Sequence, residues 1–331
     1  MSWSIFPCLD TAPRYSLTST RSPVHRLLRI MVGIVEEFGQ FSDRIQPVFL
    51  PQSLPYFGYQ SRMSAKYYQR ISVQGMNIFV GPGGYYICYY LGFFQKLFDE
   101  LGRDFFKDTS FEGVSAGGQL SGYAVAATNG AHDMLYWYKN GPRDAMASGC
   151  WPGQLTVKCY ESGKRFYLDA VSQNEDIEKH IFHKYAAWGT TSSGKPYKLR
   201  NIRDHIDFGN SVASTGNIPV LGAINPWRFK GEKLWDGGIA YSACLEAIVQ
   251  LNTNTIIFCI NIPDNFENTH KATVFEFSKW RPFKRSIGIG LLFYTKKKRL
   301  KKMDELFENG YEDAGQHIDE LVRVLKSHRW K

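Results

Sequence analysis

A serine set between glycines, Gly113–Val114–Ser115–Ala116–Gly117, stands where the short apolar run Ser110 to Val114 gives way to a stretch of small residues. A serine hydroxyl becomes a useful nucleophile when a neighbouring base takes its proton. A tight strand-to-helix turn with little bulk around it lets Oγ stand clear of the backbone. The helix expected after the turn adds a second property. Its first N–H groups have no intrahelical partner and its dipole is positive at that end, so negative charge developing beside the serine is favoured. A base is available in Leu234–Trp235–Asp236–Gly237–Gly238, where an aspartate ends an apolar stretch and two glycines follow. A third segment, Gly81–Pro82–Gly83–Gly84, follows the apolar run Asn77 to Val80. Without Cβ atoms, its N–H groups can come close to an oxyanion. Nucleophile, base and anion cradle are the parts of an acyl-transfer site.

These residues need a frame that brings them together. Ile87, Tyr90, Leu91, Phe94, Leu97, Phe98 and Leu101 repeat at helical spacing and Gly102 follows them, which predicts a helix behind the first glycine loop. Strands are predicted at Asn77 to Val80, Ser110 to Val114, Pro219 to Ile224, Lys233 to Trp235 and Thr255 to Ile260. Asp176 to Tyr185 reads as a charged helix carrying His180 and His183, and Ser192 to Pro196 as a loop. The expected class is α/β, a three-layer α/β/α fold with a mainly parallel central sheet. In such sheets ligands gather at the carboxyl ends of strands, where Ser115 and Asp236 would then lie. The aromatic residues Tyr85, Tyr86, Tyr89, Tyr90, Phe93 and Phe94 are expected mostly in the core, with an acyl pocket as a second use.

The three motifs, in this order, resemble the patatin-like phospholipase family. Its members carry a glycine-rich oxyanion loop, a G-x-S-x-G nucleophile about thirty residues later and a distant D-G-G or D-G-A aspartate. Tyr89, Leu91 and Gly92 match the family's helix after the loop, Ala213, Ser214 and Pro219 its segment before the aspartate, and Glu308 to Ala314 its closing helix. The resemblance spans roughly residues 73 to 325 and implies a patatin-like domain over 73–331 behind an extension over 1–72. It departs from the family at the loop-to-helix corner, where Tyr86 or Ile87 stands in place of a usual glycine. The resemblance implies a Ser-Asp dyad in which Asp236 takes the proton of Ser115. Gly83, Gly84 and Ala116 would supply oxyanion N–H groups, supported by Gly81, Gly113, Gly117, Gly237 and Gly238. The implied activity is cleavage of phospholipid or neutral glycerolipid esters through an acyl-enzyme, with no cofactor and no metal. An acyltransferase with the same dyad, or a lipid-binding scaffold that keeps the fold without catalysis, are the alternatives.

Other readings use the same residues. A Ser115–Asp236–His270 triad has the residue order of an α/β-hydrolase, and substitution of His270 separates it from the dyad. A Walker loop fails because no lysine follows Gly81 at the required spacing. A dinucleotide site finds only two of its glycines, with Glu112 as a possible acid. His180 and His183 lack a third metal ligand nearby.

Charge has a single location. Ten basic residues and no acidic one fall between Phe277 and Met303, enough to carry the whole net charge of +9. The run Ile287 to Tyr294 lies within that stretch, with Trp280 and Phe283 beside it. Lysines next to apolar and aromatic side chains fit peripheral contact with an anionic membrane or a lipid droplet, with Lys296, Lys297, Lys298 and Arg299 as the contact candidates. A core strand followed by a solvated basic helix start is the alternative. Eight apolar residues are too few to span a bilayer, which takes about twenty. Nucleic acid is not expected as a partner, because the rest of the chain is not basic. The six cysteines are scattered without a C-x-x-C pair, as expected of buried thiols in an intracellular protein, cytoplasmic or peripheral to a membrane. Residues 1 to 33 hold Arg14, Arg21, Arg26 and Arg29 against the single acid Asp10, the composition of a targeting segment or of a packed extension. The segment Pro47 to Tyr59, with Pro47, Pro51, Pro55 and Gly58, reads as an irregular linker.

Overall fold

The structure, a computed structural model, describes residues 75–147, 153–219, 221–251, 254–268, 272–284, 291 and 294–329. The extension over 1–72, His270 and most of the run 287–294 lie outside the described residues. In chain order, β1 (Asn77–Val80) leads to α1 (Ile87–Leu101), β2 (Ser110–Val114) and α2 (Ala116–Thr128), then α3 (Met134–Asn140) and α4 (Pro142–Ala147). Next come α5 (Leu155–Gln173), α6 (Ile177–Lys184), β3 (Tyr185–Thr191), β4 (Pro196–Leu199) and α7 (His205–Thr215). The hairpin β5 (Trp227–Phe229) and β6 (Glu232–Asp236) precedes α8 (Tyr241–Leu251), β7 (Thr255–Cys259) and β8 (Thr273–Glu276). The helices α9 (Lys296–Gln316) and α10 (Ile318–Arg329) follow.

The chain folds as α/β with a mostly parallel sheet in the order β5-β6-β3-β2-β1-β7-β8, and β4 pairs with β3 off that path. The pairs from β3 through β2, β1 and β7 to β8 are parallel; β3–β4, β3–β6 and β5–β6 are antiparallel. Alternation along the strands divides the core in two. Ile78, Val80, Phe111, Ala187 and Phe258 face one apolar cluster with α1, α2 and α9, whereas Phe79, Val114, Trp188 and Ile257 face another built on α8. Helices therefore cover both faces, and the sheet is the middle of three layers.

The predicted helix 87–101 forms with these bounds, and it is buried on more than the predicted stripe, because α9 covers its other side. Two glycines allow the approach: a Cβ on Gly92 would fall 1.9 Å from the Phe307 carbonyl oxygen, and one on Gly310 would fall 2.0 Å from that of Tyr89. Tyr89 then donates to the Asp313 carboxylate at 2.9 Å, and Arg281 pairs with the same carboxylate at 2.8 Å.

Among the described residues of Pro219 to Ile224, the expected strand does not form. Gly222 N–H turns back to the Ile218 carbonyl at 2.6 Å, Pro219 and Ala223 form an isolated bridge, and Ile224 is 85% exposed. The apolar residues here serve a turn packed on the start of α5, with Gly153 N–H on the Leu221 carbonyl. Four strands carry no prediction: β3, β4, β5 and β8. The first of these turns out to align the site.

Candidate active site

β3 works as a shared rail. Ala187 and Trp188 pair with both β2 and β4, and Gly189 and Thr190 pair with both β4 and β6. A strand residue has one partner on each edge, so β2 and β6 occupy the same edge of β3, end to end. β2 runs up to Val114 opposite Trp188, and β6 runs down to Asp236 opposite Gly189, one residue further along. Their carboxyl ends meet, and Ser115 and Asp236, 121 positions apart in sequence, are held beside each other. Gly237 sits at the junction. A Cβ there would lie 2.2 Å from the Trp188 carbonyl oxygen and 3.1 Å from Val114 Cγ1.

Ser115 occupies the turn between β2 and α2 with φ 56 and ψ −123, a left-handed conformation that costs a non-glycine residue about 1–3 kcal/mol and persists only when its surroundings fix it. Thr215 does the fixing. Its Oγ1 accepts the Ser115 N–H at 2.8 Å and donates to the Trp188 carbonyl at 2.6 Å. Gly113 and Gly117 are required by contact rather than by dihedral angle. A Cβ on Gly113 would meet the Gly117 carbonyl at 2.3 Å, and one on Gly117 would meet the Val80 carbonyl oxygen at 2.2 Å. The motif's spacing thus reflects two backbones that touch on either side of the serine.

Asp236 is buried, and its ends differ. Oδ1 accepts the Gly238 N–H at 2.6 Å; Oδ2 is buried with no aligned donor. Burial pushes the carboxyl up to about 6, against the pull of the Ser115 hydroxyl and the Gly238 N–H, which favour the ionised form. Ser115 therefore lies close enough to act on Asp236 but is not aligned on Oδ2, a common state of such a pair without substrate. The main chain of Asp236 is tied down as well: its N–H donates to the Asn217 carbonyl at 2.9 Å, and its carbonyl accepts from Thr190 Oγ1 at 2.9 Å. Asn217 is fully buried. It holds the Leu234 and Asn225 carbonyls through Nδ2 and accepts from Thr156 through Oδ1. Thr215 and Asn217 went unpredicted, and the only signal for them was their nearness to Ala213, Ser214 and Pro219.

The glycine loop faces the same site. Gly84, Ser115 and Ala116 line one pocket, and among the described residues no acceptor engages the N–H groups of Gly83, Gly84 or Ala116. Gly84 has φ +55, which suits glycine, and opens a short 3-10 turn over Gly84–Tyr86. Gly81 N–H is fixed on the Phe258 carbonyl at 2.8 Å, and a Cβ on it would strike Tyr241 Oη at 2.6 Å. Tyr90 braces the loop from below. Its hydroxyl accepts the Ile260 N–H and donates to the Pro82 carbonyl, each at 3.2 Å. Tyr90→Phe would leave the buried Ile260 N–H and the half-buried Pro82 carbonyl without this partner. The expected loss is about 1–3 kcal/mol of stability, read by urea denaturation; an unchanged midpoint would show that the brace contributes nothing.

Tyr86 and Ile87, the bulky corner, do not fill the cradle. Tyr86 donates to the Lys284 carbonyl at 2.8 Å with its ring edge-on to Phe283, and Ile87 forms pocket wall. The pocket is narrow, about 70 Å³, with Leu155, Val212 and Ile218 among its apolar lining and Gln119 and Ser162 as polar points. An extended acyl chain would have to widen it, since ligand pockets usually hold about 300 Å³ or more.

The remaining candidates are not at this site. Lys296, Lys297 and Lys298 are exposed in the first turn of α9. Arg299 is corrected: it is 5% exposed and donates to the Leu291 and Tyr294 carbonyls at 2.9 and 2.6 Å, because the helical turn carries it inward, so it is not a surface contact. Glu112, the acid of the dinucleotide reading, is engaged by Lys198 at 2.7 Å and Trp188 Nε1 at 2.9 Å.

No protein-family model and no curated protein matches the chain. Among solved structures it is similar to VipD from Legionella pneumophila, at 13% identity over 77% of this chain and 67% of that one, with a TM-score of 0.36.

Proposed function

We propose that the protein is a serine hydrolase of lipid esters, with Ser115 as nucleophile and Asp236 as general base, and that it is a patatin-like phospholipase. The observation that carries the reading is the pairing of a strained serine at a strand-to-helix turn with a buried aspartate whose pKa is pushed up to about 6. An ordinary carboxylate is a poor base near neutral pH, and the raised value brings it closer to that task while leaving it ionised. In the proposed reaction Asp236 Oδ2 accepts the Ser115 proton as Oγ attacks the ester carbonyl. The tetrahedral oxyanion takes hydrogen bonds from Gly83, Gly84 and Ala116, and the proton passes to the departing alkoxide. Water, deprotonated by Asp236, then attacks the acyl-enzyme; the bond to Ser115 Oγ breaks, Asp236 returns the proton to Oγ, and the fatty acid leaves. Transfer of the acyl group to another alcohol would use the same intermediate. Lys296, Lys297 and Lys298 are proposed to meet an anionic membrane or droplet surface inside the cell.

A fluorophosphonate probe tests the nucleophile directly. The parent chain is expected to be labelled and to hydrolyse esters in mixed phospholipid and triacylglycerol vesicles, Ser115→Ala to do neither, and His270→Ala to do both. Equal labelling of the parent and Ser115→Ala would sink the assignment and favour a scaffold, and loss of activity in His270→Ala would favour a triad.

A further inference from the structure

A second cleft, of about 490 Å³, lies beside Trp188 and shares no lining residue with the pocket at Ser115. Its walls come from β4, the loop that follows it, the β5–β6 turn and the end of α8. Lys198, Arg200, Arg203 and Lys230 line it, and no carboxylate does among the described residues. Glu112 reaches Lys198 at 2.7 Å and Asp207 reaches Lys230 at 3.3 Å from outside the lining. Lys198 and Lys230 are thus each paired with a carboxylate from outside the lining, and Arg200 and Arg203 add two more cations to it.

The lysines are also held in position. Lys230 Nζ donates to the carbonyls of Arg200 and Asn201 and stands 5.1 Å from the centre of the Phe229 ring; Lys198 Nζ stands 5.5 Å from that of Trp188. Cations fixed before a ligand arrives lose little freedom when it binds.

The backbone is strained at the same place. Among the described residues the non-glycine positions with positive φ are Ser115, Asn201 at 57 and Lys230 at 48. Apart from the proposed nucleophile, both line this cleft. Lys230 and Gly231, with φ 91, form the two-residue turn of the β5–β6 hairpin. That turn needs positive φ at both positions and favours Asn, Asp or Gly at the first. A lysine there costs about 1–2 kcal/mol, and what it supplies is a cation on the cleft wall. Such a local conflict is the mark of a site kept for something other than folding.

We propose that this cleft binds the phosphate group of a phosphorylated ligand, soluble or lipid-borne. Phosphate suits it better than a single carboxylate, because two guanidinium groups and two ammonium charges are spread around a volume larger than a carboxylate fills. Leu251, 66% exposed at the rim, would meet an apolar part of the ligand. The proposal is independent of the hydrolase reading.

Calorimetric titration with inorganic pyrophosphate, and flotation with phosphatidylcholine vesicles containing phosphatidic acid, test it on the full chain. The variants are Arg200→Gln with Arg203→Gln, both exposed, and Lys230→Asn, which suits the turn; Lys296→Gln, Lys297→Gln and Lys298→Gln together form the control. Pyrophosphate binding that weakens about tenfold or more in the cleft variants, and is unchanged in the control, establishes the site for a soluble phosphate. Vesicle binding without pyrophosphate binding, weakened about tenfold or more in the cleft variants whatever the lysine variant itself removes, establishes it for a lipid headgroup. No binding of either probe, or binding that the cleft variants leave intact, overturns the proposal.

Discussion

Asp236→Asn is expected to slow the proposed ester hydrolysis by about 10²- to 10⁴-fold and, at neutral pH, to make the protein more stable. The two effects have one cause. Burial raises the Asp236 carboxyl from 3.8 to about 6, so above that pH the folded protein holds an ionised carboxylate that the unfolded chain would solvate better. Between the two values the native state binds more protons than the unfolded one, and stability therefore falls as pH rises. The shift corresponds to a cost on the order of 3 kcal/mol, fully developed above about pH 6 and absent below about pH 4. Asparagine keeps an acceptor for the Gly238 N–H and carries no charge. Urea denaturation at pH 7 should find the variant more stable than the parent, with the gap closing toward pH 4. The activity of the parent should fall as pH drops through about 6, because the base becomes protonated, and residual activity in the variant should lack that inflection. A variant less stable than the parent at pH 7 would mean that the carboxylate is held by an interaction stronger than its burial cost.

The same pair shows how far the sequence can be read. Helix 87–101 was legible because its apolar residues repeat with a clear period, and β1 and β2 because they are short apolar runs. β7 was legible as a continuous apolar run. Ser115 and Asp236 were legible as residue types in motifs, yet nothing local says that they meet. That fact belongs to β3, whose sequence Tyr-Ala-Ala-Trp-Gly-Thr-Thr alternates poorly because small residues let α2 and the β6 end approach it. A Cβ on Gly118, for example, would fall 3.1 Å from Ala187 Cβ. Pro219 to Ile224 misled for the opposite reason: it is apolar enough for a strand, but Gly222 has no room for a Cβ, which would lie 2.4 Å from Thr156 Oγ1, and the chain turns there. Arg299 misled because charge pattern alone cannot tell which side of a helix faces inward. Thr215 and Asn217 act through a few specific hydrogen bonds to groups distant in sequence, and such bonds leave no periodic trace.

Gly117→Ala should be a severely damaging small substitution. Its added Cβ would lie 2.2 Å from the Val80 carbonyl oxygen and 2.6 Å from that of Gly81. Neither atom can swing away as a side chain would. Val80 ends a central strand paired on both edges, to β2 and to β7, and Gly81 is fixed by its own N–H on the Phe258 carbonyl. Relief must come from moving α2 off the sheet, and α2 begins at the elbow, so Ser115 and the Ala116 N–H would move with it. The expected cost is about 3 kcal/mol or more, against about 1 kcal/mol for Gly194→Ala, where φ is +81 but no atom lies within 4 Å of the new Cβ. Denaturation midpoints of the two variants give the comparison. If both lose the same small amount, the contact between the nucleophile helix and the glycine loop is softer than its distances imply. If Gly117→Ala alone collapses, the glycine after the serine is there to let two backbones touch, and the elbow and the oxyanion loop form a single mechanical unit.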